Sequence, residues 1–157
     1  MINEIHHVAM SVEDMDRSLA FYRDLLGFEV AMDRTWENAG ETGDKILRVK
    51  GTAARQTMLR AGNAMVELFQ FNRPTPAPMA VDRPVIDRGI THLCFDVTDV
   101  DAEYRRLSKA GVIFHCEPQD LGPGCRTTYG RDPDGNVVEF QELFSPPREK
   151  LGPTSTA

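Results

Sequence analysis

The chain has 157 residues, of which 41% are hydrophobic and 27% charged, and its formal net charge at pH 7 is −6. These values are typical of a soluble globular protein that buries its apolar surface in one core or in two small fused ones. No apolar run approaches the roughly 20 residues needed to span a bilayer, which argues against a membrane protein. The acidic balance opposes binding to nucleic acid or to anionic membranes, because both depend on clustered lysine and arginine.

The N-terminus and the cysteines indicate the compartment. No basic segment followed by an apolar one opens the chain, so a secretory signal is not predicted. Cys94, Cys116 and Cys125 are odd in number and lack CxxC spacing, which favours free thiols over a disulfide framework. We therefore expect a cytoplasmic protein.

The chain opens with a strand and then a helix. Residues 5–12 alternate with period two, which predicts a half-buried strand with His7 on the face opposite the apolar valine and methionine positions. Asp14 or Asp16 then begins a helix whose apolar residues recur at spacings of three and four, and Gly27 ends it.

Three further strands are expected before the middle of the chain. They are separated by turn-rich segments and are predicted near residues 28–34, 45–50 and 55–60 running into 64–71. This gives a first βαβββ module over residues 1–72. Residues 73–88 are rich in proline and predict an extended connection without helix or central strand.

Beyond the connection the opening pattern returns. IHHVAMSVEDMD (5–16) aligns without gaps on ITHLCFDVTDVD (90–101), with Ile, His, Val, Asp and Asp identical at matched places. The chain is therefore predicted to contain an internal duplication.

The second copy completes the same order of elements over residues 89–144. It comprises a helix at 102–110 that ends at Gly111, the segment VIFHCEP, a loop DLGPGC, and strands around 126–130 and 137–144 joined by the turn RDPDGN. The last segment, 145–157, lacks periodicity and is expected to be a flexible tail. The predicted fold is α+β, with two tandem βαβββ modules forming a curved, mixed-sheet, barrel-like cleft.

Each module carries a histidine on its first strand and a glutamate on its last. These are His7 with Glu67, and His92 with Glu139, and each glutamate lies between apolar neighbours that point the other way. A carboxylate in an apolar strand is costly unless it is paired or bound to a metal. Two such pairs at equivalent places predict that all four side chains bind one divalent metal ion, with open positions for water or substrate.

The alternative for each of these four residues is a purely structural role, since a single histidine on a strand usually lies in the core or on the surface. His6 is the rival of His7, but the duplication aligns His7 with His92 and places His6 on the helix-packing face. His115 has no counterpart and is interpreted as structural. The imidazole and carboxylate set suits Zn, Ni, Co, Mn or Fe alike.

The segments IHHVAMSVEDMDRSLAFYRDLLGFEV, GNAMVELFQF, GITHLCFDV and YGRDPDGNVVEFQE together resemble the vicinal-oxygen-chelate superfamily, the glyoxalase, bleomycin-resistance and dioxygenase group. The resemblance covers residues 3–144, and the four ligand places of the glyoxalase I pattern are matched by His7, Glu67, His92 and Glu139. It implies this fold, the metal site and a homodimer whose cleft forms within one chain or between two.

The resemblance also implies a set of activities. A metal-dependent lyase, isomerase or epimerase that transfers a proton next to the carbonyl of a small oxo compound or thioester ranks first, with Glu139 and Glu67 as the catalytic carboxylates. A non-catalytic drug-binding protein ranks second, and an Fe(II) extradiol-type dioxygenase third. The stretch 33–64 lacks the glutathione-contact pattern of lactoylglutathione lyases, and the connection differs from that of methylmalonyl-coenzyme A epimerases, so no named substrate is assigned.

Residues whose side chains point to the same face of the strands as the predicted ligands are expected to form the substrate walls. They are Ala9, Phe69, Phe71, Cys94 and Gln141, with Trp36 or Arg126 reaching in from loops. Ordinary core packing or loop surface is the alternative role for each of them.

Overall fold

A computed structural model describes residues 1–144, and the predicted tail at 145–157 lies outside the described residues. The chain forms two compact units, one of Met1–Pro78 and one that begins at Met79. Each contains one four-stranded mixed sheet, so the predicted α+β class with duplicated sheets is confirmed. Both sheets are open, with two edge strands each.

The first unit contains strand β1 (His7–Ser11), helix α1 (Met15–Leu19), strand β2 (Glu29–Trp36), helix α2 (Gly40–Leu47), strand β3 (Ala53–Ala61) and strand β4 (Ala64–Arg73). Its sheet has the order β1-β4-β3-β2, with β1 parallel to β4 and the other pairs antiparallel. Helix α1 continues as a π-helical segment, Ala20–Leu25.

The second unit contains strand β5 (Leu93–Asp96), helix α3 (Val100–Lys109), and strands β6 (Gln119–Asp120), β7 (Cys125–Arg131) and β8 (Val137–Leu143). Its order, β5-β8-β7-β6, repeats that of the first sheet, again with one parallel pair at β5 and β8. Residues 74–92, all of them described, form neither helix nor strand. None of the helices within residues 1–144 is long and apolar enough to cross a bilayer.

The helices α1 and α3, which follow the first strand of each unit, start in the same way. Asp14 and Asp99 are the N-cap residues, and each carboxylate accepts hydrogen bonds from backbone N–H groups of the first turn. The last strand of each sheet adds a second contact: Gln70 accepts from the Met15 N–H, and Glu142 accepts from the Val100 N–H. These contacts show that Gln70 and Glu142 face the helix, so Glu67 and Glu139, three residues earlier, face away.

Three expectations need correction. The predicted strand at 45–50 is the end of α2 and a turn; its apolar run is short, and such runs do not distinguish a strand from a helix. In the second unit, VIFHCEP contributes only an isolated bridge at Phe114, and the short β6 begins in the residue that follows this segment. His92 directly precedes β5 instead of lying on it.

The turn between β7 and β8 depends on a glycine. Gly135 has φ +87°, and a Cβ there would lie 2.5 Å from the Val81 carbonyl oxygen. The Asp132 side chain accepts from the backbone N–H groups of Asp134 and Asn136, which holds this turn closed. Gly122 also has a positive φ, +76°, but its Cβ direction is open.

We expect Gly135→Ala to destabilise the protein more than Gly122→Ala. Both substitutions place alanine in the left-handed region, at a cost of about 1 kcal/mol. Only Gly135→Ala also forces the backbone at Val81 to move, which should add about 1–3 kcal/mol. Urea unfolding measures the difference, and equal losses of unfolding free energy in the two variants would contradict this packing.

Candidate metal centre

The first histidine and glutamate pair lies within the first sheet. Glu67 is only 6% exposed although its side chain is charged. Its Oε1 accepts a hydrogen bond from the Gln56 side-chain amide, and its Oε2 lies 3.4 Å from His7 Nε2. Both carboxylate oxygens therefore have a polar neighbour, as burial of a charge requires.

The imidazole of His7 is held at its other nitrogen. His7 Nδ1 lies 2.9 Å from His6 Nδ1, and the two rings meet edge to face. In the tautomer that carries its proton on Nδ1, His7 donates to His6 and directs the Nε2 lone pair towards Glu67. His6 thus contacts the predicted ligand His7, whereas the contact with the Glu67 carboxylate is made by His7.

The second pair repeats the first with closer contacts. Glu139 is 8% exposed, and its Oε1 accepts from the Thr127 hydroxyl at 2.6 Å. Its Oε2 lies 3.0 Å from His92 Nε2, and His92 Nδ1 lies 3.0 Å from the hydroxyl oxygen of Thr91. Each histidine therefore has a polar partner at Nδ1 and a carboxylate at Nε2, which is the arrangement that orients a metal-ligating imidazole.

Gln56 and Thr127 occupy equivalent places in the two sheets. Gln56 lies opposite Phe69, and Thr127 lies opposite Gln141; each of these partners is two residues beyond the glutamate of the pair. Both side chains donate to Oε1 of that glutamate. Sequence analysis missed both, because only the pairing of β3 with β4 and of β7 with β8 brings each of them to its glutamate.

Further titratable groups surround Glu139. Burial, followed by the nearby Glu139 carboxylate, raises the pKa of the Cys94 thiol to about 12 and raises the pKa of Tyr129. Both groups are therefore neutral near pH 7. The Tyr129 ring lies 5.0 Å from that of His92, so the second pair has a weakly polar wall.

His115 does not belong to either pair. Its Nε2 accepts from Arg131 Nε at 3.1 Å, and burial followed by the charge of Arg131 lowers its pKa. A neutral histidine held by an arginine is consistent with the structural role expected for it.

The distances within the two pairs fit a shared cation. Ligands about 2.1 Å from one ion lie about 3.0 Å apart at a right angle and about 3.4 Å apart in a tetrahedron. The observed separations of 3.0 and 3.4 Å lie in this range. Within either unit, over residues 1–144, no third His, Cys, Asp or Glu completes a metal-binding group. Each pair thus has the donor chemistry of half a site, and the use of all four side chains by one ion stays a prediction.

Three of the residues expected to form substrate walls contact one another in the first sheet. Trp36 lies at the end of β2, and its ring contacts Phe69, which stacks on Phe71. Arg126 does not reach this kind of site: it lies on β7 opposite Glu142, and it binds Asp101. The expectation for Arg126 is therefore wrong, because its strand position directs it to the face that α3 covers.

Comparison with known proteins gives the family. The model of the Glyoxalase/Bleomycin resistance protein/Dioxygenase superfamily matches residues 4–140. A 2-epi-5-epi-valiolone epimerase of Actinomyces sp. is 35% identical over 88% of this chain and 79% of its own length. An ethylmalonyl-CoA/methylmalonyl-CoA epimerase of Cereibacter sphaeroides is 26% identical over 91% of this chain and 100% of its own.

A solved structure shows the same fold. A glyoxalase family protein from Bacillus cereus superimposes with a TM-score of 0.83 at 22% identity, covering 92% of this chain and 97% of that one. The family match over most of the chain and the duplicated βαβββ sheets agree with each other. The chain belongs to the Glyoxalase/Bleomycin resistance protein/Dioxygenase superfamily.

Proposed function

We propose that the protein is a metal-dependent isomerase, epimerase or lyase that moves a proton next to the carbonyl of a small oxo compound or thioester. The observation that carries this proposal is the repeated pair of a buried glutamate and an imidazole nitrogen at a ligand-to-ligand distance. The epimerase names of two relatives support the reaction class.

His7, His92, Glu67 and Glu139 would hold one divalent ion, such as Zn, Ni, Co, Mn or Fe. When bound, such an ion supplies a Lewis acid for the carbonyl oxygen and stabilises negative charge that develops there. The two imidazoles would hold the ion in place. Glu67 and Glu139 are the groups available to accept the proton from the substrate and to return it.

Each unit contributes one histidine and one glutamate, so a site with four ligands needs the pairs of two units. We propose that the remaining pair comes from the other unit of the same chain or from a second copy in a homodimer. Cys94, Cys116 and Cys125 are free cysteines, which supports a reducing, cytoplasmic location.

A binding protein without turnover is the second candidate. The aromatic surface of Trp36, Phe69 and Phe71 favours it, because flat apolar rings can hold an apolar or aromatic ligand without a metal ion. Exchange of a ligand hydrogen with deuterium from solvent distinguishes the two candidates, because a protein that only binds its ligand does not catalyse this exchange.

We expect the metal-loaded protein to exchange the hydrogen next to the carbonyl of an oxo acid or an acyl thioester with deuterium from solvent, as seen by proton NMR. Glu67→Gln and Glu139→Gln should each lower the exchange rate at least about a hundredfold, because a carboxamide cannot take up the proton. A chelator should abolish exchange, and added metal should restore it. His115→Ala, outside both pairs, should keep the rate; full exchange in both glutamine variants would contradict the proposal.

The Thr127 hydroxyl should matter for metal affinity. Thr127→Val removes the hydrogen bond to Glu139 Oε1, and loss of a group that orients a ligand weakens metal binding about 10–100-fold. Thr127→Ser keeps the hydroxyl and should retain the affinity. Competition titration with a chromophoric chelator measures both variants, and an unchanged affinity in Thr127→Val would show that this hydroxyl does not orient the carboxylate.

A further inference from the structure

An arginine lies on the ligand-bearing face of the first sheet. Arg34 on β2 is opposite Gln56, and Gln56 is opposite Phe69 on β4. Residues directly opposite share a face, and Phe69 shares its face with Glu67 two positions earlier. Arg34 is therefore on the same side of the sheet as the pair formed by His7 and Glu67.

Arg34 and Arg55, which lie on neighbouring strands of the first sheet, differ in their partners. The Arg34 Nε donates to Gln56 Oε1, and its guanidinium carbon lies 5.7 Å from the centre of the Trp36 ring. No carboxylate within residues 1–144 forms an ion pair with it. Arg55, by contrast, binds Asp16 and Asp33 and is neutralised by them. The exposed Arg34 keeps a positive charge and its terminal N–H donors on the site face.

Gln56 links this arginine to the buried carboxylate. Its amide oxygen accepts from Arg34, and its amide nitrogen donates to Glu67. An arginine only donates and an ionised carboxylate only accepts, so this amide has one orientation. Two hydrogen bonds joined by one amide place the guanidinium within about 8 Å of Glu67.

Aromatic rings lie beside the same cation. The Trp36 and Phe69 ring centres are 6.2 Å apart, and those of Phe69 and Phe71 are 5.5 Å apart in a stack. In the second sheet the place equivalent to Arg34 is Gln119, opposite Thr127, and it carries no charge. The second sheet has its own arginine on the ligand-bearing face, Arg131 opposite Val137, but its N–H groups donate to His115 and to the backbone carbonyl groups of Gly135 and Arg83. A cation bound to the residue that donates to the buried glutamate is therefore present at Arg34 and not at the equivalent place of the second sheet.

We propose that Arg34 binds a carboxylate of the substrate, whose apolar part lies against Trp36, Phe69 and Phe71. The inference rests on the proposed function for the site beside it and names the substrate class: oxo acids or thioesters that carry a free carboxylate, in preference to neutral carbonyl compounds. A guanidinium presents paired N–H donors that match a carboxylate, and an adjacent ring surface favours a flat or apolar group.

Binding tests this proposal separately from turnover. Benzoylformate and its uncharged methyl ester share a ring and a ketone, and neither has a hydrogen next to the ketone that could be exchanged. Calorimetric titration of the purified full-length protein, as isolated and again with EDTA, gives both affinities. Fluorescence of Trp36, the single tryptophan, reports contact with the wall.

We expect the acid to bind at least about tenfold more tightly than the ester, and Arg34→Gln to remove this preference while leaving ester affinity unchanged. Arg34→Lys should keep part of the preference because it keeps the charge. Arg105→Gln removes an exposed positive charge in the second unit and should change nothing, which controls for net charge.

Equal affinities for acid and ester in the wild type, binding of neither, or an equal loss of both in Arg34→Gln would overturn the proposal. The two proposals fail separately. An acid preference that depends on Arg34, without deuterium exchange on any oxo acid or thioester, would remove the proposed enzyme and leave the anion site. Deuterium exchange without a preference for the acid would remove the anion site and leave the proposed enzyme.

Discussion

The burial of two carboxylates beside two imidazoles is the constraint on which the rest of the structure depends. Glu67 and Glu139 are 6% and 8% exposed, and an ionised carboxylate at such a depth needs hydrogen bonds and a nearby positive charge. Gln56 and Thr127 supply the hydrogen bonds. His7 and His92 lie where a proton or a metal ion would supply the charge. The parity of the strands and the positions of the helices keep these groups on one face of each sheet.

The two sheets are equivalent in topology and different in chemistry. The glutamate, its histidine and its hydrogen-bond donor recur in both, whereas the surrounding side chains do not. Arg34, Trp36 and Phe69 lie on the ligand-bearing face of the first sheet, and Cys94, Tyr129 and Gln141 lie on that of the second. The proposed metal site would therefore have unequal walls, which suits a substrate that has a charged, ring-facing end and a reacting end.

The sequence predicted the elements that depend on local patterns. The strand parity at His7 and a helix start at Asp14 or Asp16 follow from neighbouring residues, and the repeat at residues 90–101 follows from its gap-free match to residues 5–16. The structure selects Asp14 as the N-cap. The segment 40–50 could not be predicted in this way, because its few apolar residues satisfy both periodicities. The four candidate ligands were identified because a histidine and a glutamate occur at equivalent places in both modules.

The supporting residues were harder to predict because their roles arise from register. Gln56 and Arg34 lie on different strands from Glu67, and only the pairing of β2, β3 and β4 shows that they share a face. Arg126 was misplaced for the same reason: it was expected to reach the site from a loop, whereas its register on β7, opposite Glu142, directs it towards α3. Register depends on turn lengths and bulges, and this chain has an irregularity within each pairing of β3.

The most direct test of the central claim is the number of divalent metal ions bound per chain, measured by elemental analysis after reconstitution and removal of loosely bound metal. One ion is predicted for the native protein, and almost none for either His7→Ala or His92→Ala, because one ion needs both pairs. Retention of a full equivalent after loss of either histidine, or two equivalents in the native protein, would show that the pairs do not share an ion and would contradict the account.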